Sequence, residues 1–457
     1  MHTTLPIQII GAGLAGSEAA LQLAHHGIPV SLYDIKPQRR SPAHHRSQFA
    51  EIVCSNSMGA LGLHNASGLL KSEMRQLNSH LLAIAEAVSV PAGRALAVDR
   101  EAFSDRVTAA LTSHPLITLV EQDVAHIPED ALTIIATGPL TTPALAEALC
   151  RLMGQHQLFF FDAASPIVTK ESINFERAFF QNRYGLEHGE EAGSYINCPL
   201  NQAQYKALVA FLNNAEKAPL KDFEQQPADN SNATKTAYFE SCLPVEVIAS
   251  RGENTLCFGP MKPVGLIDPH TGEQPYAVVQ LRQDNALATL YNLVGFQTNL
   301  KWGEQKTMMT LIPGLEQAEI VRYGVMHRNT YLPSPDVLLP TLQLKANPNT
   351  LIAGQLTGTE GYSESIATGL FAALNAVRLY QHQSAITLPE TTMLGALLAY
   401  ITRPEASGKG KFQPINANWG ILPPLPAPRP RKKAEKAERH AQRAVDALQA
   451  WQAQRSP

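Results

Sequence analysis

Ile7-Gln8-Ile9-Ile10-Gly11-Ala12-Gly13-Leu14-Ala15-Gly16 decides how the rest of the 457-residue chain is read. A short β-branched run meets a G-x-G-x-x-G turn, and an Ala/Leu-rich stretch with helical spacing continues to about Ala24 before Gly27 stops it. A second apolar run, Val30 to Tyr33, ends in Asp34, so strand, turn, helix, strand and acid follow in the order of a βαβ unit. In such a unit Gly11 permits the sharp bend, Gly13 lets backbone N–H groups approach a pyrophosphate, and Gly16 lets the helix lie close to the sheet. With Ala12, Leu14 and Ala15 these form the turn at a helix N-terminus, whose unpaired N–H groups and partial positive charge favour phosphate. Asp34 is placed to accept hydrogen bonds from a ribose. The same turn also occurs where backbones merely pack closely; the flanking strands and the acid select the dinucleotide reading.

Outward from this unit, Ala131 to Ala136 is an apolar strand running into Ala136-Thr137-Gly138-Pro139, and residues 99 to 112 have the pattern of an amphipathic helix. Far downstream the opening pattern returns: a strand at Thr350 to Ala353, a glycine-rich turn from Gly354 to Tyr362, and a helix of small residues from Ser363 to Leu379. An NAD-binding domain would normally be complete in one contiguous stretch, so this separation favours FAD. The expected class is α/β, and the arrangement resembles the FAD-binding Rossmann-like fold of the glutathione reductase type with an inserted α/β domain. Expected boundaries are 1–150 and 346–420 for the two parts of the FAD domain, 151–345 for the insertion, and 421–457 for a Pro-rich linker and basic helix. Gly138, Gly354, Gln355, Gly361 and Tyr362 join the cofactor candidates, with Gln355 standing where this fold usually has an acid.

Apolar residues at 44% and charged residues at 17% are ordinary for a globular protein, and a net charge of −3 gives no global attraction to nucleic acid, so a polyanion would need a local basic patch. The start lacks the pattern of a signal peptide and no run of 18 apolar residues occurs, which points to a cytoplasmic protein. Five cysteines, Cys54, Cys150, Cys198, Cys242 and Cys257, are odd in number and lack C-x-x-C spacing, which argues against a dithiol reductase and a zinc ribbon. The histidines, His44-His45 among them, lack ligand spacing, so no metal is expected. Cys54 follows a basic loop and is flanked by Ser55, Asn56 and Ser57, surroundings that can support a thiolate. Cys150, Cys198 and Cys257 fit small buried hydrophobes. Cys242, between Glu240 and Glu246, sits in an acidic setting that by itself discourages a thiolate.

The segment Ala353 to Leu370, A-G-Q-L-T-G-T-E-G-Y-S-E-S-I-A-T-G-L, resembles a signature shared by two families of tRNA uridine-modifying flavoproteins. The wobble-uridine carboxymethylaminomethyl enzymes are longer. E-I-V-C-S-N-S around Cys54, F-E-S-C-L-P-V-E around Cys242, the stretches from Thr255 and Tyr323, and F-Q-P-I-N-A-N-W-G from Phe412 resemble the folate- and FAD-dependent tRNA uracil-5-methyltransferases, in family order. The resemblance runs from Ile7 to about Pro424.

It implies that methylenetetrahydrofolate donates a carbon through reduced FAD, that NAD(P)H supplies electrons, and that the acceptor is the T-loop uridine in the T-arm of tRNA. It implicates Cys54 and Cys242 as nucleophile and general base; Cys54 is assigned as nucleophile and Cys242 as its partner, the exchange of roles being left open. The chemistry requires such a pair: a thiolate adding to carbon 6 makes carbon 5 of uracil nucleophilic, and a second group must remove the carbon 5 proton. Arg39, Arg40 and Arg46, and Arg431, Lys432 and Lys433 in the tail, are candidate phosphate contacts, against the reading of charge runs as solvated faces. His327-Arg328-Asn329 is a candidate for folate, flavin or uracil, or a support for the domain junction. The tail keeps helical spacing at Ala434, Ala437, Ala441, Val445, Leu448 and Trp451 and can dock on something. Other readings are a wobble-uridine modifier, a flavin oxidoreductase acting on a small metabolite, and a non-catalytic FAD-bound RNA-binding protein.

Overall fold

The computed structural model describes residues 5–41, 43–154, 158–183, 193–219, 243–403, 412–428, 430 and 432–455, with the side chains of 158–163, 327, 328 and 433 outside the description. The Gln/Asn-rich segment near 224–234 lies outside the described residues. A parallel five-stranded sheet runs in the order Thr350–Ile352, Thr133–Ile135, Ile7–Ile10, Val30–Asp34, Ile117–Glu121. Its central strands are short and β-branched because helices cover both faces. Thr350 pairs with Thr133 and Ile352 with Ile135, so the late strand extends the sheet begun at Ile7. The helix after the glycine turn, Leu14–His25, lies against the late helix Tyr362–Tyr380. A Cβ built on Gly369 would stand 2.2 Å from the carbonyl oxygen of Ala15, so only glycine allows that crossing. The helix expected over 99–112 is Arg100–Ser113, capped by Asp99, whose carboxylate accepts from the N–H groups of Glu101 and Ala102.

A second, antiparallel sheet has its six strands in the order Phe179–Phe180, Tyr195–Leu200, Ala277–Gln283, Leu290–Leu293, Ile167–Thr169, Ile320–Arg322. It has its own core, with Val168, Ile196, Tyr205, Leu281, Phe296 and Met308 buried together. The chain leaves and re-enters through the paired strands Leu158–Ala163 and Met326–Tyr331. The return comes earlier than the expected 346: Tyr331, Leu332, Val337, Leu338, Leu342 and Leu344 already belong to the first core. That stretch is broken by prolines and shows no clean period, which hid its allegiance in the sequence.

The tail helix, Lys433–Ala453, docks on its own chain. Ala437, Ala441, Ala444 and Leu448 are buried, Trp451 Nε1 donates to the Thr387 carbonyl at 2.8 Å, and Gln452 donates to the Gln76 carbonyl at 3.0 Å. Ala434, part of the expected apolar stripe, is exposed. The Pro-rich segment is bound to this helix, since Arg443 donates to the carbonyls of Pro423 and Pro424.

Two buried carboxylates tie helices together by standing at other helices' N-termini, where unpaired N–H groups need acceptors. Glu18 accepts from the N–H groups of His80 and Leu81, opening the helix His80–Ala87. Glu73, on the helix Ala66–Gln76, accepts from Met393 at 2.6 Å and Leu394 at 2.8 Å, opening the helix Met393–Thr402. Burial outweighs these bonds and pushes the Glu73 carboxyl up to about 7. A carboxyl raised in the folded state contributes stability that is full below its unfolded value near 4.5 and is lost as pH rises through about 7. The loss amounts to up to about 3 kcal/mol. Glu73→Gln removes this titration, so its melting temperature relative to wild type is expected to climb between pH 5 and pH 8; a constant difference across that window would contradict the assignment.

Candidate cofactor cavity and cysteine site

The first turn, the late turn and the Cys54 segment surround one cavity of about 460 Å³. Gly11, Ala12, Gly13, Leu14, Ala15, Asp34 and Gly138 line it. Gly11 has φ +101°, and a Cβ there would stand 2.7 Å from the Ala136 carbonyl oxygen. Gly16 does not line the cavity: a Cβ there would lie 1.8 Å from the Gly11 carbonyl oxygen, so its part is to let the helix close on the turn. Gly13 caps the helix without a side-chain acceptor, leaving backbone donors directed at the cavity. Asp34 accepts from Ala12 N–H at 2.7 Å and Lys36 N–H at 2.9 Å, which fixes its carboxylate at the cavity wall with lone pairs to spare. The Lys36 ammonium is buried against Glu51 at 3.2 Å and the Gln48 carbonyl at 2.6 Å.

Gly354, Gln355, Glu360, Gly361 and Tyr362 line the same cavity, and a Cβ built on Gly354 would stand 3.0 Å from the Ala15 Cβ, so the late turn lies directly against the first. The late helix, too, starts without a side-chain cap, at Gly361 with φ +110°. Two uncapped helix N-termini therefore serve one cavity, and the donor set fits a long anionic dinucleotide such as FAD. The acid missing at 355 stands five residues on, where Glu360 Oε1 accepts from Gln355 Nε2 at 2.5 Å. Asn329 is buried and lines the cavity, while the side chains of His327 and Arg328 lie outside the description.

Cys54 is half-buried in the wall of this same cavity. Its N–H donates to the Tyr362 hydroxyl at 2.8 Å, joining it to the late turn. Its carbonyl accepts from Arg100 Nη2 at 2.6 Å, and the same guanidinium donates to the Ile52 carbonyl at 2.8 Å and to both Asp284 oxygens at 2.9 Å. Arg282 donates to Ser55 Oγ and, at 3.1 Å, to Asn56 Oδ1; the Asn56 amide donates to the Val98 and Gln283 carbonyls. The Cys54 segment is thus held between the first core and the inserted sheet by buried, bonded charges. Sequence reasoning missed Arg100, Arg282 and Asp284. No local signal marked them: only the structure shows that A-V-V-Q-L-R-Q is buried at every position, where an arginine needs a partner.

Cys242 lies outside the described residues. Just after it, Glu246 is buried and accepts from the Thr298 hydroxyl and Asn299 N–H, so that acid is occupied elsewhere. Burial pushes the Cys198 thiol far up, as suits a packing residue; Cys150 and Cys257, expected to be buried, are only partly so. Of the arginines proposed for RNA, Arg39 pairs with Asp123, Arg46 lies 2.8 Å from Asp105, and Arg40 donates to the His45 carbonyl. Arg39 and Arg46 are thus ion-paired at the surface, whereas Arg40 is exposed and bonded to a neutral carbonyl. Arg431 lies outside the described residues, as does the Lys433 side chain, and Lys432 is exposed. Among the described residues no group of three or more His, Cys, Asp or Glu is arranged to hold a metal ion, and no helix is long and apolar enough to cross a membrane.

Comparison with known proteins adds sequence identity to this geometry. The family model described as glucose inhibited division protein A matches residues 6–384. The methylenetetrahydrofolate–tRNA-(uracil-5-)-methyltransferase TrmFO of Desulforudis audaxviator is 54% identical over 443 residues, covering 97% of both chains. That of Halalkalibacterium halodurans is 52% identical, covering 98% of both. Among solved structures, GidA of Aquifex aeolicus in its form II crystal matches with a TM-score of 0.67 at 15% identity, over 97% of this chain and 73% of that one, a likeness of fold.

The glycines separate binding from folding. A methyl at Gly13 would meet only the Ala136 carbonyl oxygen, at 4.0 Å, and otherwise enters the cavity. Gly13→Ala is expected to keep the melting temperature of the apoprotein while FAD affinity falls by about tenfold or more. Gly16→Ala should lower the melting temperature of the apoprotein itself. Equal flavin retention by Gly13→Ala and wild type, read by absorbance after gel filtration, would remove the cofactor from the first glycine turn.

Proposed function

The chain belongs to the methylenetetrahydrofolate–tRNA-(uracil-5-)-methyltransferases, a family within the glucose inhibited division protein A group, and on that premise we propose that it methylates carbon 5 of the T-loop uridine of tRNA in the bacterial cytoplasm. The observation that carries the reading is the placing of Cys54 in the wall of the cavity whose two glycine turns fit FAD. The high identity to the methyltransferases, over 97% of both chains, favours this over a wobble-uridine modifier. Bound FAD, reduced by NAD(P)H, supplies the two-electron chemistry that brings the one-carbon unit of methylenetetrahydrofolate to the methyl level.

The protein's own residues do the rest. The two helix N-termini and Asp34 bind and orient the cofactor. The Arg100, Arg282 and Tyr362 bonds hold the Cys54 segment rigid, so the thiol keeps one position while a flipped uracil is brought to it. Cys54 and Cys242 share two tasks. One thiolate adds to carbon 6, forming the S–C6 bond and giving carbon 5 the electron pair with which it takes the one-carbon unit. The other group takes the carbon 5 proton, and the S–C6 bond breaks to regenerate the thiolate.

This assignment predicts that Cys54→Ala and Cys242→Ala each abolish 5-methyluridine formation in undermethylated tRNA while retaining FAD. A T-arm RNA carrying 5-fluorouridine offers no proton at carbon 5, so attack should stop at a covalent adduct visible by denaturing electrophoresis. The adduct is expected to survive one substitution and vanish in the other, which identifies the nucleophile. Methylation persisting in both variants would sink the thiol mechanism.

A further inference from the structure

The face of the inserted sheet turned away from its own core carries a row of residues of which the proposed reaction has used one, Arg282. Pairing register places Arg282 opposite Asn292, Asn292 opposite Ile167, and Ile167 opposite Arg322, across four adjacent strands. Directly opposed residues share a face. Their neighbours along the strands, Leu281, Leu293 and Val168, fill the inserted domain's core, so the row faces the other way. Arg282 shows what lies there, since it bonds to Ser55 and Asn56 in the Cys54 segment.

The donors in this row outnumber their acceptors. Arg100 and Arg282 are already hydrogen-bonded to the Cys54 segment, and the guanidinium groups of Arg100, Arg282 and Arg322 share the neighbourhood of Asp284. Asp284 is taken up by Arg100. Arg322 is half-buried and, among the described residues, has neither a hydrogen-bond nor an ion-pair partner. It lies within Coulombic reach of Tyr362 and Glu51, both on the cavity wall. Asn292 is 2% exposed, and its Nδ2, shut off from solvent, has no acceptor. A partly desolvated cation with no partner, in the same row as a buried donor with none and one strand removed from it, is a costly arrangement unless an anion completes it. An arginine fork is suited to a planar carboxylate or a phosphate.

We propose that Arg322, in the row shared with Asn292 and Arg282, forms an oxyanion subsite beside the Cys54 segment that receives an anionic group of a substrate. The chemistry is that of a phosphodiester or a carboxylate, which the RNA backbone and the glutamate tail of the folate respectively supply. The inference deepens the methyltransferase reading and rests on it for the identity of the substrates.

The test is equilibrium binding to the FAD-loaded protein, which needs no turnover. Wild type, Arg322→Gln and Arg322→Lys are titrated with a labelled T-arm hairpin over a range of salt, and separately with tetrahydrofolate and with tetrahydropteroate, which lacks the glutamate. If the anion is a phosphate, Arg322→Gln binds the hairpin about tenfold more weakly and the slope of log affinity against log salt falls by about one. Arg322→Lys keeps that slope because it keeps the charge. If the anion is the glutamate carboxylate, Arg322→Gln loses about tenfold for tetrahydrofolate and nothing for tetrahydropteroate. Hairpin and folate affinities both within about twofold of wild type overturn the subsite while leaving the methyltransferase reading intact. An Arg322-dependent affinity in a protein that fails to methylate tRNA would do the reverse. Wild type binding neither ligand overturns both.

Discussion

Everything at the cofactor cavity depends on backbones meeting where no side chain stands. The helix after the first turn closes on Gly11 because Gly16 has no Cβ, and the late helix crosses it at Ala15 because Gly369 has none. These two contacts set the directions of both helices, and therefore of both uncapped N-termini. Electrostatics follows from sterics here: the anion site is created by how closely the helices can approach, and the N–H groups merely express it.

The Cys54 segment is governed by the opposite logic, charge buried at cost and repaid by geometry. Arg100 spends its donors on two carbonyls and a carboxylate drawn from different parts of the chain, which is what makes burial of an arginine tolerable. Because Asp284 closes the strand region of the inserted sheet and Cys54 belongs to the first domain, the pair is also a mechanical joint. The Cys54 thiol is set in place by the inserted domain as much as by the flavin domain.

Local patterns announced much of this and long-range chemistry little. The strand, turn and helix at Ile7 to Ala24 and the late counterpart at Thr350 were legible because glycine spacing and apolar period are properties of contiguous residues. The partnership of Arg100 with Asp284 was not, because the two are 184 positions apart and nothing local to either distinguishes a buried ion pair from a solvated one. Glu360, bonded to Gln355, puts a carboxylate on the cavity wall five residues beyond the position where the fold usually has an acid, a shift that a motif read position by position does not register. The tail stripe was read correctly as apolar at helical spacing, but its dock on Thr387 and Gln76 required the third dimension.

The sheet that holds the cofactor is assembled from strands made at opposite ends of synthesis. The strand Thr133–Ile135 has one neighbour among the early residues and must wait for Thr350–Ile352 to gain the other. Every strand of the inserted six-stranded sheet, by contrast, lies between Ile167 and Arg322. As the chain leaves the ribosome, the inserted domain can therefore complete its pairing while the flavin domain still presents an unfilled edge, which is a liability for association with other chains. Residence of the nascent chain in that half-built state, rather than the stability of the finished protein, sets its exposure to aggregation.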